Sequence, residues 1–279
     1  MPPPSTLSQS EVRRRPEQLL LAFLGELVVD RDLGPVPTAV LIDVLAELAV
    51  TATATRATLQ RMVARGLLKT VRQGRTVSYL LTPGAERVLR DARDRVFASD
   101  PFAPRGGGWT LVTFSVPESR RDVRHRVRAQ LVWAGFGLLR DGLWIAPGEG
   151  DVDRALGPVL EDEGASELEL VAFRAEEVAG FSVSSTVRSA WRLEEIRERH
   201  ELFQERWCEV EPDARSQASL AMLTALVADW LDLLRGAPPL PLEHLDEGWP
   251  AARSVSTFRR LHDALVGPAG SEVRARLKP

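Results

Sequence analysis

The sequence predicts an α+β protein in three parts: an N-terminal winged helix-turn-helix, a central ferredoxin-like domain and a C-terminal helical domain. Three observations carry this expectation. Helical apolar stripes before Gly66 give way to two alternating segments around Gln73-Gly74, the pattern of a helical trio followed by a β-hairpin. Residues 109–176 read strand, helix, hairpin, helix, strand, which is the split βαβ order. From about Val187 the apolar residues recur at helical steps of three and four.

At the N-terminus, "MPPPSTLSQS" has no apolar h-region, so residues 1–12 read as a disordered tail and not as a secretion signal. The DNA-binding domain is expected over 13–98. In "PEQLLLAFLGELVVD", Pro16 suits a first helical position, and Leu19, Leu20, Phe23, Leu24 and Leu27 form its stripe. A loop at 30–37 leads to "TAVLIDVLAELA", with Thr38 as N-cap and Leu41, Leu45 and Leu48 on one face. After a "VTAT" turn, "TRATLQRMVARG" turns Thr55, Leu59, Met62 and Val63 inward and stops at Gly66. "LLKTVR" and "RTVSYLL" form the hairpin, and "TPGAERVLRDARDRVFAS" a connecting helix.

Two prolines and three consecutive glycines make 99–108 a linker. Those glycines are no phosphate loop, because no strand precedes them and no Gly-Lys-Ser follows. The ferredoxin-like domain is expected over 109–176. It starts with the strand "TLVTFSV", with Val112, Phe114 and Val116 on one face, and a helix with Val123, Val127, Leu131 and Ala134 inward. A hairpin turning at Asp141-Gly142, the helix "DVDRALGPVLEDEG" and the strand "ELELVAFRA" complete it. In the helical domain, 177–279, Leu193, Ile196, His200, Phe203 and Trp207 form one stripe and Leu220, Leu223, Val227, Trp230 and Leu234 another. A proline-rich turn precedes a third helix with Val255, Phe258, Leu261 and Leu265.

Composition narrows the function. No apolar run reaches the roughly 18 residues that span a bilayer, and Glu26 interrupts the best candidate. One cysteine, Cys208, excludes an internal disulfide; it reads as a buried small hydrophobe. Histidines at 125, 200, 244 and 262 are too scattered for a metal site, and a cytoplasmic protein without cofactor is expected. His200, inside an apolar stripe, reads as a hydrogen-bonded core or interface residue and not as a base. Net charge is -3, yet between Glu47 and Glu86 no acid occurs beside Arg56, Arg61, Arg65, Lys69, Arg72 and Arg75. Charged faces normally mix signs, so this interval points to an anionic partner.

On the third helix, helical offsets place Thr53, Ala57, Gln60, Arg61 and Ala64 opposite the core stripe, with Arg56 at its edge. Small residues permit close approach to a major groove, where Gln pairs with adenine and Arg with guanine. Arg72 and Arg75 flank the hairpin tip, within reach of phosphate or the minor groove. The competing reading is a solvated polar face. Five arginines, 120, 121, 124, 126 and 128, stand on the central helix with only Asp122 among them, and could hold an anion or simply keep a surface soluble. Trp109, Trp133 and Trp144 bracket the central fold and read as core, though any could stack on a ring.

"WTLVTFSVPESRRDVRHRVRAQLVWAGFGLLRDGLWIAP", "ATRATLQRMVARGLL" and "LPLEHLDEGWP" resemble the PaaX-type repressors of phenylacetate catabolism, over about residues 16–265. The resemblance implies a homodimeric transcriptional repressor on a pseudo-palindromic double-stranded DNA operator, released by an aryl-acyl-CoA. It implies dimerisation through the central domain and makes Arg124, Arg128, Trp133 and Trp144 candidates for the effector. The central domain of that family is similar to a small CRISPR-associated nuclease fold. Such a nuclease needs a metal-binding carboxylate at the end of its first strand. Phe114-Ser115-Val116 stands there, and Glu118 already opens the helix, so no catalytic residue is expected. The runner-up is a regulator of the same build that answers another acyl-CoA or no metabolite, and an adaptor whose winged helix binds protein is a third reading, opposed by the acid-free interval.

Overall fold

The computed structural model describes residues 14–31, 33–140, 142–160, 167–180, 183–212 and 218–277. The expected tail, Asp141 of the second hairpin turn and the end of the helix written through Gly164 lie outside these residues. The class is α+β, as the sequence predicts, and the chain forms two compact units. Residues 14–93, 212–229 and 262–277 belong to the first; 94–211 and 230–261 belong to the second. Among the described residues no helix is long and apolar enough to cross a membrane.

The first unit begins with α1 (Pro16–Leu27), its first turn held by the Gln18 side chain accepting from the Arg15 N–H. Leu19, Leu20, Phe23, Leu24 and Leu27 are buried, as their spacing requires. α2 (Thr38–Ala46) and α3 (Ala52–Ala64) pack on one another and α3 on α1. Two caps differ from expectation. Thr38 is inside α2, and its hydroxyl instead donates to the Val77 carbonyl at 2.7 Å. Thr51 caps α3, accepting from the Ala54 N–H, so α3 starts within the segment read as a turn.

α3 ends in a Schellman motif: Leu67 N–H reaches the Met62 carbonyl and Gly66 N–H that of Val63, with Gly66 at φ +70°. β2 (Leu68–Gln73) and β3 (Thr76–Leu81) follow as an antiparallel hairpin in which Gln73 faces Thr76. The two loop residues are therefore Gly74 and Arg75, with Gly74 at φ +59°. A two-residue strand, β1 (Val36–Pro37), pairs with β3 inside the stretch read as a loop. It is too short for any alternation to show. α4 (Pro83–Val96) comes next; Thr82 accepts from the Ala85 N–H and donates to the Gly66 carbonyl.

In the second unit, β4 (Trp109–Ser115), α5 (Arg121–Trp133), β5 (Gly137–Arg140), β6 (Leu143–Pro147), α6 (Val152–Leu160) and β7 (Glu169–Ala175) build an antiparallel sheet in the order β5-β6-β4-β7. That interleaving is the split βαβ arrangement. Val112, Val116, Trp144 and Ala146 meet Val123, Val127 and Leu131 of α5 and Leu156 of α6 in one core, with Phe114 partly buried against it. Ala134 lies past α5 and is exposed.

Residues 99–108 are not a solvated linker. Phe102 is buried, edge-on to His200 and Trp230. Gly148 N–H bonds the Gly108 carbonyl, Glu149 N–H that of Arg105, and Arg174 donates to the Gly107 carbonyl at 2.7 Å. Proline and glycine here shape a loop at the strand ends of β4 and β6, and composition alone does not separate that from a tether.

α7 (Ser184–Trp191) and α8 (Leu193–Trp207) are separated by Arg192 in the left-handed region, φ 45°. α9 (Ser219–Gly236) is buried on nearly all sides, and α10 (Ala251–Leu277) runs through Pro268. The expected stripes of α8 and α9 are buried throughout; on α10, Phe258, Leu261 and Leu265 are buried and Val255 partly so. Residues 177–279, expected to stay together, divide between the two units. Within the first unit, Asp229 takes two bonds from Arg14, His262 lies 3.2 Å from Glu26, and Arg276 pairs with Glu47.

Candidate nucleic-acid interface

α3 has two unlike sides. Thr55, Thr58, Leu59 and Met62 are buried, and the two threonine hydroxyls donate back to the Thr51 and Ala54 carbonyls, which satisfies them without a tertiary partner. Thr53, Arg56, Gln60, Arg61 and Ala64 are exposed and Ala57 is partly so. The structure thus brings together on one face every α3 residue expected to read DNA. Arg61 donates to Thr58 Oγ1 at 2.9 Å, which aims its guanidinium along the helix.

Arg72 and Arg75 are exposed at the end of the hairpin, with Arg75 in the two-residue loop itself. Lys69, on the same strand as Arg72, is also exposed and was absent from the expected contact set; its place in the acid-free interval is the signal. Arg65 is different. Glu17 of α1 pairs with it at 2.6 Å, an acid the linear interval does not reveal. Among the described residues, no hydrogen bond or ion pair engages the side chains of Arg56, Lys69, Arg72 or Arg75. Four uncommitted cations beside a helix face of small and amide side chains can neutralise phosphate and reach base edges.

The residues expected at an effector do not come together. Trp144 is in the core of the second unit, 4% exposed, so stacking on a ligand would require unpacking the sheet from its helices. Trp133 is 67% exposed, contrary to its reading as core, because it lies off the Val123-Val127-Leu131 stripe. Arg124 bonds the Val116 carbonyl at 2.8 Å and Glu118; Arg121 also holds Glu118, and Arg120 and Arg126 lie beside Asp122. Arg121 and Arg124 draw the Glu118 carboxyl below its ordinary range. Arg128 is exposed. Ser115 ends β4 exposed, and among the described residues no group of three or more His, Cys, Asp or Glu is arranged to hold a metal ion.

Two other expectations concern single residues. His200 is buried with Nδ1 3.0 Å from Ser254 Oγ, a hydrogen-bonded core histidine. Cys208 is exposed, not buried: the α8 stripe ends at Trp207, and one further residue turns about 100° away from it.

Comparison with known proteins adds three matches of family models. Residues 15–85 match the "PaaX-like protein" model, 103–187 the "PaaX protein central Cas2-like domain" and 191–275 the "PaaX-like protein C-terminal domain". No curated protein matches the sequence. Among solved structures, an uncharacterized protein from Mycobacterium tuberculosis, Rv0674, has a similar fold. It is 21% identical with a TM-score of 0.56, over 89% of this chain and 96% of that one.

Proposed function

Since the chain belongs to the PaaX-type family, we propose that it is a DNA-binding transcriptional regulator whose first unit is a winged helix-turn-helix. The observation that carries this reading is the exposed face of α3 beside the free cations of the hairpin. α3 enters the major groove, where Gln60 and Arg61 contact base edges and Thr53, Arg56 and Ala57 line the approach. Arg72 and Arg75 hold the flanking backbone, assisted by Lys69. The chain acts as a homodimeric repressor on a pseudo-palindromic operator in the cytoplasm, without a catalytic role. Release by an aryl-acyl-CoA, from an aromatic-acid (phenylacetate) catabolic operon, is the finer part of the proposal. Arg128 and Trp133 are its most accessible contacts and Arg124 a partly engaged one.

The test is binding to the region upstream of its own gene. Two chains per site should neutralise about 6 to 10 phosphates, so affinity falls by several orders of magnitude between low and moderate salt. Arg61→Ala should lose about 1–3 kcal/mol of discrimination at particular bases, whereas Arg75→Ala should weaken all sequences alike. Unchanged binding in both variants would place the DNA contact elsewhere.

A further inference from the structure

The second unit contains a cavity of about 810 Å³, a size that buries a drug-sized ligand. None of Arg124, Arg128, Trp133 or Trp144 lines it. Its walls come mainly from residues 99–109, 176–177 and 238–259. Phe102, Trp109 and Trp249 supply aromatic surface, and Ile196, Leu240 and Leu245 aliphatic surface.

The charge of the lining is lopsided. Asp100, Glu176, Glu177 and Glu243 stand against one guanidinium, Arg259, which already donates to the Ala98 and Ser99 carbonyls at 2.9 and 2.7 Å. Two histidines also line the cavity. Burial keeps His200 uncharged near neutral pH, and His244 is held between Ser184 Oγ at 3.0 Å and Glu177 Oε1 at 2.9 Å. Trp109 Nε1 donates to the same Glu177 oxygen, so that carboxylate is fixed in place. Glu176 and Glu243 are exposed. One of the rings already meets a cation: Arg197 lies 4.9 Å over Trp249.

An anion entering here meets four carboxylates against one guanidinium, already bonded to two carbonyls. An ammonium group meets carboxylates and aromatic faces, the two surroundings that best replace its water. We propose that this cavity binds an arylalkyl amine, its ring system against the Phe102 and Trp249 walls and its ammonium among Glu176, Glu177 and Glu243. The same charge rejects carboxylates and the phosphates of a CoA thioester. The cavity is therefore a second ligand site, apart from the arginines of α5.

Calorimetry on the full chain without DNA tests this with three ligands of one shape: naphthylmethylamine, naphthylmethanol and naphthoate. The amine should bind tightest and the carboxylate weakest, each step being about threefold or more. In the Glu176→Gln/Glu243→Gln double variant, whose changes are on exposed side chains, the amine should weaken about tenfold while the alcohol stays within about twofold. Phenylacetyl-CoA should not displace the amine. Binding of naphthoate as tight as that of the amine, displacement by the CoA thioester, an equal loss for amine and alcohol in the double variant, or no binding by any of the three would overturn the proposal. Because no DNA is present, such a failure leaves the DNA-binding reading untouched.

Discussion

His200 shows how a single buried group sets a pH limit. It is 1% exposed, with Phe102 edge-on at 4.7 Å, and burial pushes its pKa from 6.5 down to about 4. The unfolded chain therefore takes up a proton between pH 6.5 and 4 that the folded chain refuses. Its contribution to stability is complete above pH 6.5, falls as the pH drops toward 4, and changes no further below that. The loss is on the order of 3 kcal/mol. Urea unfolding at pH 7.5 and 4.5 checks it: His200→Phe should lose less stability than the parent chain between the two pH values. An equal loss in both would show that other titrating groups set the acid limit. The role of His200 was legible, since Ile196, four residues before it, and Phe203, three after it, are apolar. Cys208 and Trp133 were misjudged from residue type, although each lies off the apolar stripe of its helix.

At the scale of elements, α7 lies against β5 so closely that a side chain is excluded between them. A Cβ on Gly137 would be 2.8 Å from the Trp191 ring and 2.9 Å from Ala190 Cβ, and Trp191 Nε1 donates to the Gly135 carbonyl at 3.0 Å. Gly137→Ala should cost about 1–3 kcal/mol, because helix and strand must separate to admit the methyl group. Gly84→Ala in the first turn of α4, with nothing within 4 Å, should be close to neutral. Thermal unfolding of the two variants makes the comparison, and similar melting temperatures would mean that α7 yields easily. Helices and the long hairpin were legible because apolar spacing repeats several times within each. The β1 pairing, the Thr38 bond to Val77 and the ligand cavity were not, since each joins residues far apart in sequence.

For the molecule as a whole, the chain does not divide where its composition changes. The first unit needs residues 212–229 and 262–277 as well as its N-terminal part. A fragment of residues 1–98 loses Asp229 from Arg14, His262 from Glu26 and Arg276 from Glu47. Among the described residues Glu26, 4% exposed, then keeps Arg31 at 3.3 Å. The fragment should unfold at a clearly lower temperature than the full chain, or without a cooperative transition, in a calorimetric scan. A fragment as stable as the full chain would show that these late residues are ornament to the first unit. The division of α3 into a buried and an exposed side has a different consequence. Thr53, Arg56, Ala57 and Gln60 contribute almost nothing to the core, and the helix is held by Thr55, Thr58, Leu59, Met62 and its two terminal caps. Substitutions on the outer side are therefore nearly free of folding cost, so under the proposed DNA-reading role a lineage could retarget such a protein to new genes by drifting through foldable intermediates.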